Sequence, residues 1–127
     1  MPPAVRVIGL DHLVLVTPDV ERALEFYTGV LGLAAERVDE WRAGRVPFPS
    51  VRIDAETLID LFEGERTGEN VLHFCLVIEP TDLAALADDP RLVDTSTPMD
   101  GMFGARGTAT SVYFQDPDGN TVELRSY

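Results

Sequence analysis

The fold of this chain is decided by its last seventeen residues, Ser111–Tyr127, with the sequence SVYFQDPDGNTVELRSY. Two runs of alternating polar and apolar residues flank the turn-forming segment DPDGN, which is the pattern of an antiparallel hairpin. The proline and glycine of this segment supply the φ values that a tight turn requires. Because side chains alternate along a strand, the Glu123 carboxylate is expected on the face opposite to Val122 and Leu124.

The size and charge of the chain exclude several classes of function. Its 127 residues suit one domain, and no apolar run is long enough to span a membrane. The net charge of −12 argues against nucleic acid and anionic lipid surfaces as partners. All ten basic residues are arginine, so a lysine Schiff base is excluded. A single cysteine, Cys75, and a start without a secretory signal favour the cytoplasm.

The first half of the chain predicts a strand, a helix and three further strands. Apolar and β-branched residues predict a strand over Val5–Val16. Asp19 is the expected N-cap of an amphipathic helix that ends at Gly32. The three further strands are predicted at Leu33–Trp41, Val51–Asp54 and Thr57–Phe62, with a loop over Arg42–Ser50.

The second half repeats this order. A strand over Val71–Ile78 precedes a short helix that opens at Pro80-Thr81-Asp82, whereas the segment Arg91–Gly107 has no clear pattern. His12 and His73 lie 61 residues apart (73 − 12), and Asp60 and Glu123 lie 63 apart (123 − 60). The sequence therefore predicts an α+β fold in a single domain, 1–127. It would consist of two tandem βαβββ units, 5–62 and 71–127, joined by the linker 63–70, whose curved sheets face each other around a shared cavity.

The histidines and strand carboxylates are the candidate functional residues. His12 and His73 are the two histidines of the chain, and both occupy the same place in the repeat. Two imidazoles and one carboxylate, such as Glu123, form a set that binds divalent metal ions with open positions. Spacing leaves a second reading open, in which each histidine is a hydrogen-bonded core residue and Glu123 is a solvated strand residue.

The chain resembles the vicinal oxygen chelate superfamily of glyoxalases, bleomycin-resistance proteins and ring-cleaving dioxygenases. The similarity lies in GLDHLVLVTPDVERALEFYTGVLGL (9–33), VLHFCLV (71–77) and SVYFQDPDGNTVELRS (111–126), and covers nearly the whole chain except roughly 91–100. This resemblance implies that His12, His73 and Glu123 hold one divalent metal ion, either Fe, Mn, Ni, Co or Zn. It also implies a homodimer that binds a small-molecule substrate.

Within the superfamily, the chain is most similar to small glyoxalase-domain proteins. This implies a metal-dependent isomerase or lyase acting on a small substrate with adjacent oxygens. Asp60 stands where glyoxalases carry a further carboxylate ligand, and Val16 stands where glutathione-binding members carry arginine. The alternatives are a ring-cleaving dioxygenase, in which Tyr113 donates a proton, and a non-catalytic bleomycin-type binder, which the negative charge suits. Because the residues that match the metal ligands of the superfamily are present, the bleomycin-type binder is disfavoured.

Four residues are candidates for catalysis or substrate binding. Asp60 and Tyr113 are the expected catalytic groups, although Tyr113 could equally cap the sheet face. Cys75 shares the His73 face and is a candidate substrate contact, with a small buried hydrophobe as the alternative reading. Arg106 lies between two glycines and could hold an anionic substrate group, with a solvated loop arginine as its alternative.

Overall fold

The structure, a computed structural model, describes residues 1–30, 32–68, 70–115 and 121–127. Contacts divide the chain into two units. The middle unit is His12–Leu72, and the terminal unit combines Met1–Asp11 with His73–Tyr127. Strand β1, Val7–Thr17, contributes residues to both units. Within the described residues, no helix is long and apolar enough to cross a membrane.

The middle unit contains four strands with a helix after the first of them. Strand β1 is followed by helix α1 (Val20–Leu24), which continues as a π-helical segment (Glu25–Val30), then by β2 (Ala34–Glu36), α2 (Val38–Arg42), β3 (Ser50–Asp54) and β4 (Thr57–Glu63). The strand order is β2-β3-β4-β1. Strand β1 runs parallel to β4, and the other pairs are antiparallel.

Helix α1 begins where the sequence predicts it. The Asp19 side chain caps it by accepting a hydrogen bond from the Arg22 backbone N–H (3.0 Å). The helical segment continues to Val30, and Gly32, the predicted stop, has a positive φ of 73°. What the sequence did not predict is that the winding becomes π-helical from Glu25 onward. The Thr28 hydroxyl donates to the Leu24 carbonyl (2.7 Å), which is the acceptor of a regular α-helical Thr28 N–H. This side-chain competition favours the wider turn.

The predicted strand Leu33–Trp41 is wrong over its second half. Strand β2 ends at Glu36, Arg37 adopts a left-handed conformation (φ 63°), and helix α2 follows. Val38 and Trp41 lie three positions apart on α2 and pack against the core of the middle unit. This packing outweighs the strand propensity of the same residues.

The terminal unit repeats the arrangement of the middle one. It contains β5 (Val71–Ile78) from His73 onward, α3 (Leu83–Ala87), β6 (Met99–Gly104), β7 (Gly107–Gln115) and β8 (Thr121–Ser126). Their order is β6-β7-β8-β5, with β5 parallel to β8 and the other pairs antiparallel. The Asp82 side chain caps α3 by accepting from the Ala85 N–H (3.2 Å). The predicted α+β fold of tandem βαβββ units is therefore confirmed, while the boundaries of a single domain stay a prediction.

The C-terminal hairpin is also confirmed. Strands β7 and β8 pair with Tyr113 opposite Glu123. Val112, Val122 and Leu124 share the core face of this hairpin and are buried with Leu83 and Leu86 of α3. The turn predicted at DPDGN lies outside the described residues. Strand β6 occupies part of the segment 91–107, for which the sequence predicts no element.

Candidate metal centre

Each unit places one histidine near one carboxylate. In the terminal unit, His73 Nε2 lies 3.1 Å from Glu123 Oε1. In the middle unit, His12 Nε2 lies 3.9 Å from Asp60 Oδ2, which is beyond hydrogen-bonding distance. In both units, the histidine lies on the first strand and the carboxylate lies on the last strand. These two strands pair in parallel. The two candidate pairs therefore have the same origin in the fold.

The strand register explains why each pair meets. Asp60 on β4 is opposite Val14 on β1, two residues after His12. Glu123 on β8 is opposite Cys75 on β5, two residues after His73. Residues two apart on a strand point to the same face, so each histidine and its carboxylate share a face and approach along a diagonal. The sequence repeat is thus also a geometric repeat.

A serine holds each carboxylate from the neighbouring strand. Ser50 Oγ donates to Asp60 Oδ1 (2.5 Å), and Ser111 Oγ donates to Glu123 Oε2 (2.7 Å). Both serines and both carboxylates are buried. A buried carboxylate needs such donors to offset its lost hydration. In each case the serine binds one oxygen and the histidine approaches the other.

Glu123 has a further partner in Arg125, two residues along β8. The guanidinium donates to Glu123 Oε2 from NH2 (2.8 Å) and Nε (3.3 Å). Burial lowers the pKa of Arg125, but its hydrogen bond with Glu123 and the attraction between the charges outweigh burial, and the pKa is raised. Arg125 therefore stays charged and compensates the buried Glu123 carboxylate.

Tyr113 lies next to the His73–Glu123 pair. Its ring meets the His73 ring edge-on, with centroids 5.5 Å apart. Burial and then the negative charge of Glu123 raise the pKa of the Tyr113 hydroxyl. The hydroxyl is therefore neutral at pH 7 and suited to donating a hydrogen bond. Its catalytic role stays a prediction.

The two predicted substrate contacts differ in exposure. Cys75 is fully buried, and burial followed by the Glu123 charge raises the pKa of its thiol, so the reactive thiolate is disfavoured. Arg106 is exposed in the turn between β6 and β7, where its guanidinium lies 4.4 Å from the centroid of the Tyr127 ring. Substrate binding by either residue stays a prediction.

Three residues around the carboxylates were missed by sequence reasoning. They are Ser50, Ser111 and Arg125. For Ser111 and Arg125 a signal existed, because strand alternation places both on the face of Glu123. Ser50 gives a weaker signal, since it follows a proline-containing loop and begins β3.

Asp11 was also missed. It is buried, and its hydrogen-bond partners are distant from it in sequence. Its Oδ1 accepts from the Ala105 backbone N–H (2.9 Å), and its Oδ2 accepts from the Tyr127 hydroxyl. A charged residue within an apolar strand does indicate a buried partner. That partner could not be identified, because Tyr127 lies 116 residues away.

The His73–Glu123 pair fits a divalent metal ion by its chemistry. Imidazole nitrogen and carboxylate oxygen are ligands that Zn, Fe, Mn, Co and Ni accept. Ser111 and Arg125 bind Oε2, whereas Oε1 faces His73. Hydrogen bonds of this kind orient ligand groups at metal sites. The His73–Glu123 pair is therefore a candidate source of two ligand atoms in the terminal unit.

Comparison with known proteins gives matches over most of the chain. The family model described as Glyoxalase/Bleomycin resistance protein/Dioxygenase superfamily matches residues 9–124. A virulence protein of Salmonella typhimurium is 28% identical over 122 residues, which cover 93% of this chain and 83% of the relative. A glyoxalase domain-containing protein of Mycosarcoma maydis is 29% identical over 123 residues, covering 94% and 68% respectively.

A solved structure matches the fold. The crystal structure of methylmalonyl-CoA epimerase from Mycobacterium tuberculosis has a TM-score of 0.63 at 19% identity and covers 99% of this chain and 92% of its own. At this identity the likeness establishes the fold alone.

Replacing the serine partners tests whether the carboxylates depend on them. We expect Ser111→Ala and Ser50→Ala each to lower the free energy of unfolding by about 1–3 kcal/mol, because a buried carboxylate loses a donor. The measurement is urea unfolding of protein treated with chelator. Ser126→Ala, at a half-buried position on β8, is the control and should change little. Unchanged stability in both variants would contradict the assignment.

Proposed function

Because this chain belongs to the Glyoxalase/Bleomycin resistance protein/Dioxygenase superfamily, we propose that it is a metal-dependent enzyme acting on a small substrate with adjacent oxygens. The reaction we propose is an isomerisation or lyase reaction of the glyoxalase type. One observation carries the proposal: His73 Nε2 lies 3.1 Å from Glu123 Oε1 while Ser111 holds the other carboxylate oxygen. A pair built in this way is suited to binding a cation.

His12, His73 and Glu123 are the proposed ligands of one divalent ion, which could be Fe, Mn, Ni, Co or Zn. Support comes from the donor chemistry and from the repeat, which places each histidine at the same register position of its unit. When bound, such an ion polarises substrate oxygens as a Lewis acid. The protein supplies these donors from buried His12 and Glu123 and from the half-buried His73.

Proton transfer is assigned to Asp60. Its carboxylate is buried, and Ser50 holds Oδ1, so Oδ2 is the oxygen directed towards His12. A carboxylate with one oxygen fixed and the other directed at the site is suited to accept a proton from substrate. Asp60 is one methylene shorter than the glutamate expected in glyoxalases, which favours this role over direct ligation.

The remaining partners follow from charge and family. We propose a small molecule as substrate and a homodimer as the assembly. The net charge of −12 disfavours nucleic acid and anionic lipid as partners. It also suits a cationic antibiotic, but the oriented His73–Glu123 pair favours a metal enzyme over a non-catalytic binder.

A ring-cleaving dioxygenase is the second candidate, and Tyr113 is the observation that favours it. The Tyr113 ring packs edge-on against the His73 ring, and Tyr113 on β7 is paired with Glu123 on β8. A tyrosine hydroxyl near a ferrous site could hydrogen-bond to a catechol substrate. Oxygen consumption with catechol by iron-loaded protein, reduced in Tyr113→Phe, would select this candidate over the isomerase.

The metal ligands are tested by elemental analysis of protein purified without a histidine tag. We expect about one divalent ion per chain in the wild type. His73→Ala and Glu123→Gln should bind it at least about tenfold more weakly, because the first removes a ligand atom and the second replaces a charged carboxylate oxygen with a neutral amide oxygen. Glu79→Gln is the matched control, since Glu79 is an exposed carboxylate of the terminal unit paired with Arg6. Metal retention in both ligand variants would exclude the site.

The role of Asp60 is tested with hydroxyacetone as a simple probe. Deuterium exchange of the hydrogens next to its carbonyl can be followed by NMR in D₂O. We expect Asp60→Ala to slow the protein-catalysed exchange by about 10²–10⁴, the range for loss of a general base, with little change in metal content. Complete loss of metal would make Asp60 a ligand instead. Unchanged exchange would remove it from the mechanism.

A further inference from the structure

A buried network of charges lies behind the Glu123 carboxylate. The Tyr127 hydroxyl donates to Asp11, and Arg125 NH1 lies 3.2 Å from the Tyr127 hydroxyl oxygen. Arg125 also binds Glu123. Asp11, Glu123 and Arg125 are all fully buried, and the Tyr127 hydroxyl links Asp11 to the guanidinium that binds Glu123. Burying such a group of charges is costly unless hydrogen bonds and ion pairs of good geometry satisfy them.

We propose that Arg125 is a positioning residue for the metal, and that it leaves Glu123 only Oε1 with which to bind the ion. This inference rests on the proposed metal function. Oε2 accepts hydrogen bonds from Ser111 Oγ and from two nitrogens of Arg125. These donors occupy the lone pairs of Oε2, and charge-assisted bonds of this length are strong. Because Oε2 is held by these donors, Oε1, which lies 3.1 Å from His73 Nε2, is the oxygen we assign as the ligand atom.

The backbone of β6 fixes the guanidinium in place. Arg125 NH2 donates to the Phe103 carbonyl (2.9 Å), and NH1 donates to the Met102 carbonyl (3.2 Å). Arginine is needed for this role because its planar fork reaches carboxylate and carbonyls together, which a lysine ammonium cannot do.

Gly104 provides the space for this arrangement. A Cβ atom at Gly104 would lie 1.9 Å from Arg125 NH1 and 2.5 Å from its Cζ. It would also lie 2.6 Å from the Tyr127 hydroxyl oxygen, so a side chain at this position would displace the guanidinium, the hydroxyl or both. This offers an independent way to displace the guanidinium without altering Arg125 itself.

The test measures Co²⁺ binding to chelator-treated protein by calorimetry and by visible absorption of the bound ion. We expect Arg125→Lys and Gly104→Ala each to weaken Co²⁺ binding about 10- to 100-fold, the range for residues that orient metal ligands. Their Co²⁺ absorption spectra should also change, because Oε2 becomes available to the ion. Arg91→Lys is the control, since Arg91 pairs with Asp89 on the surface of the same unit, and it should bind as the wild type does.

The possible outcomes separate this inference from the proposed function. Absence of Co²⁺ binding by the wild type would overturn the proposed function and this inference with it. Binding by the wild type, with unchanged affinity and spectrum in Arg125→Lys and Gly104→Ala, would overturn only the role of Arg125. Loss of folded structure in both variants would assign Arg125 to the framework alone and would likewise overturn it. Weakened binding and a changed spectrum in either folded variant would support it.

Discussion

The structure depends on the burial of two carboxylates in an acidic chain. Asp60 and Glu123 are 2% and 0% exposed, although the net charge of the chain is −12. A buried charge that loses its partner costs about 3–5 kcal/mol, which is a large part of the stability of a domain this size. Each carboxylate therefore has a serine donor, and Glu123 has Arg125 in addition. These donors fix which oxygen faces the histidine.

The strand topology makes this arrangement possible twice. In each unit the first strand pairs in parallel with the last, and the last pairs antiparallel with the strand before it. The histidine comes from the first strand and the carboxylate from the last. The serine comes from the antiparallel neighbour of the last strand. This order of three neighbouring strands thus brings a histidine, a carboxylate and a serine together. Because the order occurs in both units, the chain has two such groups of residues.

The sequence predicted the parts that depend on local patterns. The hairpin, the cap at Asp19, the helix start at Pro80-Thr81-Asp82 and the paired positions of His12 and His73 follow from turn residues, helix-start signals and spacing. Helix α2 could not be predicted, because its residues have a strand propensity that the packing of Trp41 against the core outweighs.

The supporting contacts of the candidate site were the least predictable part. Arg125 binds carbonyls of β6, an element that has no sequence signal, and Asp11 meets Tyr127 from the other end of the chain. Such contacts depend on tertiary pairing, which spacing within one strand does not encode. The candidate ligand residues could therefore be proposed from the sequence, whereas the groups that hydrogen-bond to them required the structure.

The central claim is that His12, His73 and Glu123 bind one divalent ion, and anomalous diffraction from crystals grown with Co²⁺ tests it most directly. The account predicts one strong anomalous peak per chain, bonded to both imidazoles and to Oε1 of Glu123, with Oε2 still held by Ser111 and Arg125. A peak confined to exposed carboxylates, with the His73–Glu123 contact unchanged, would contradict it.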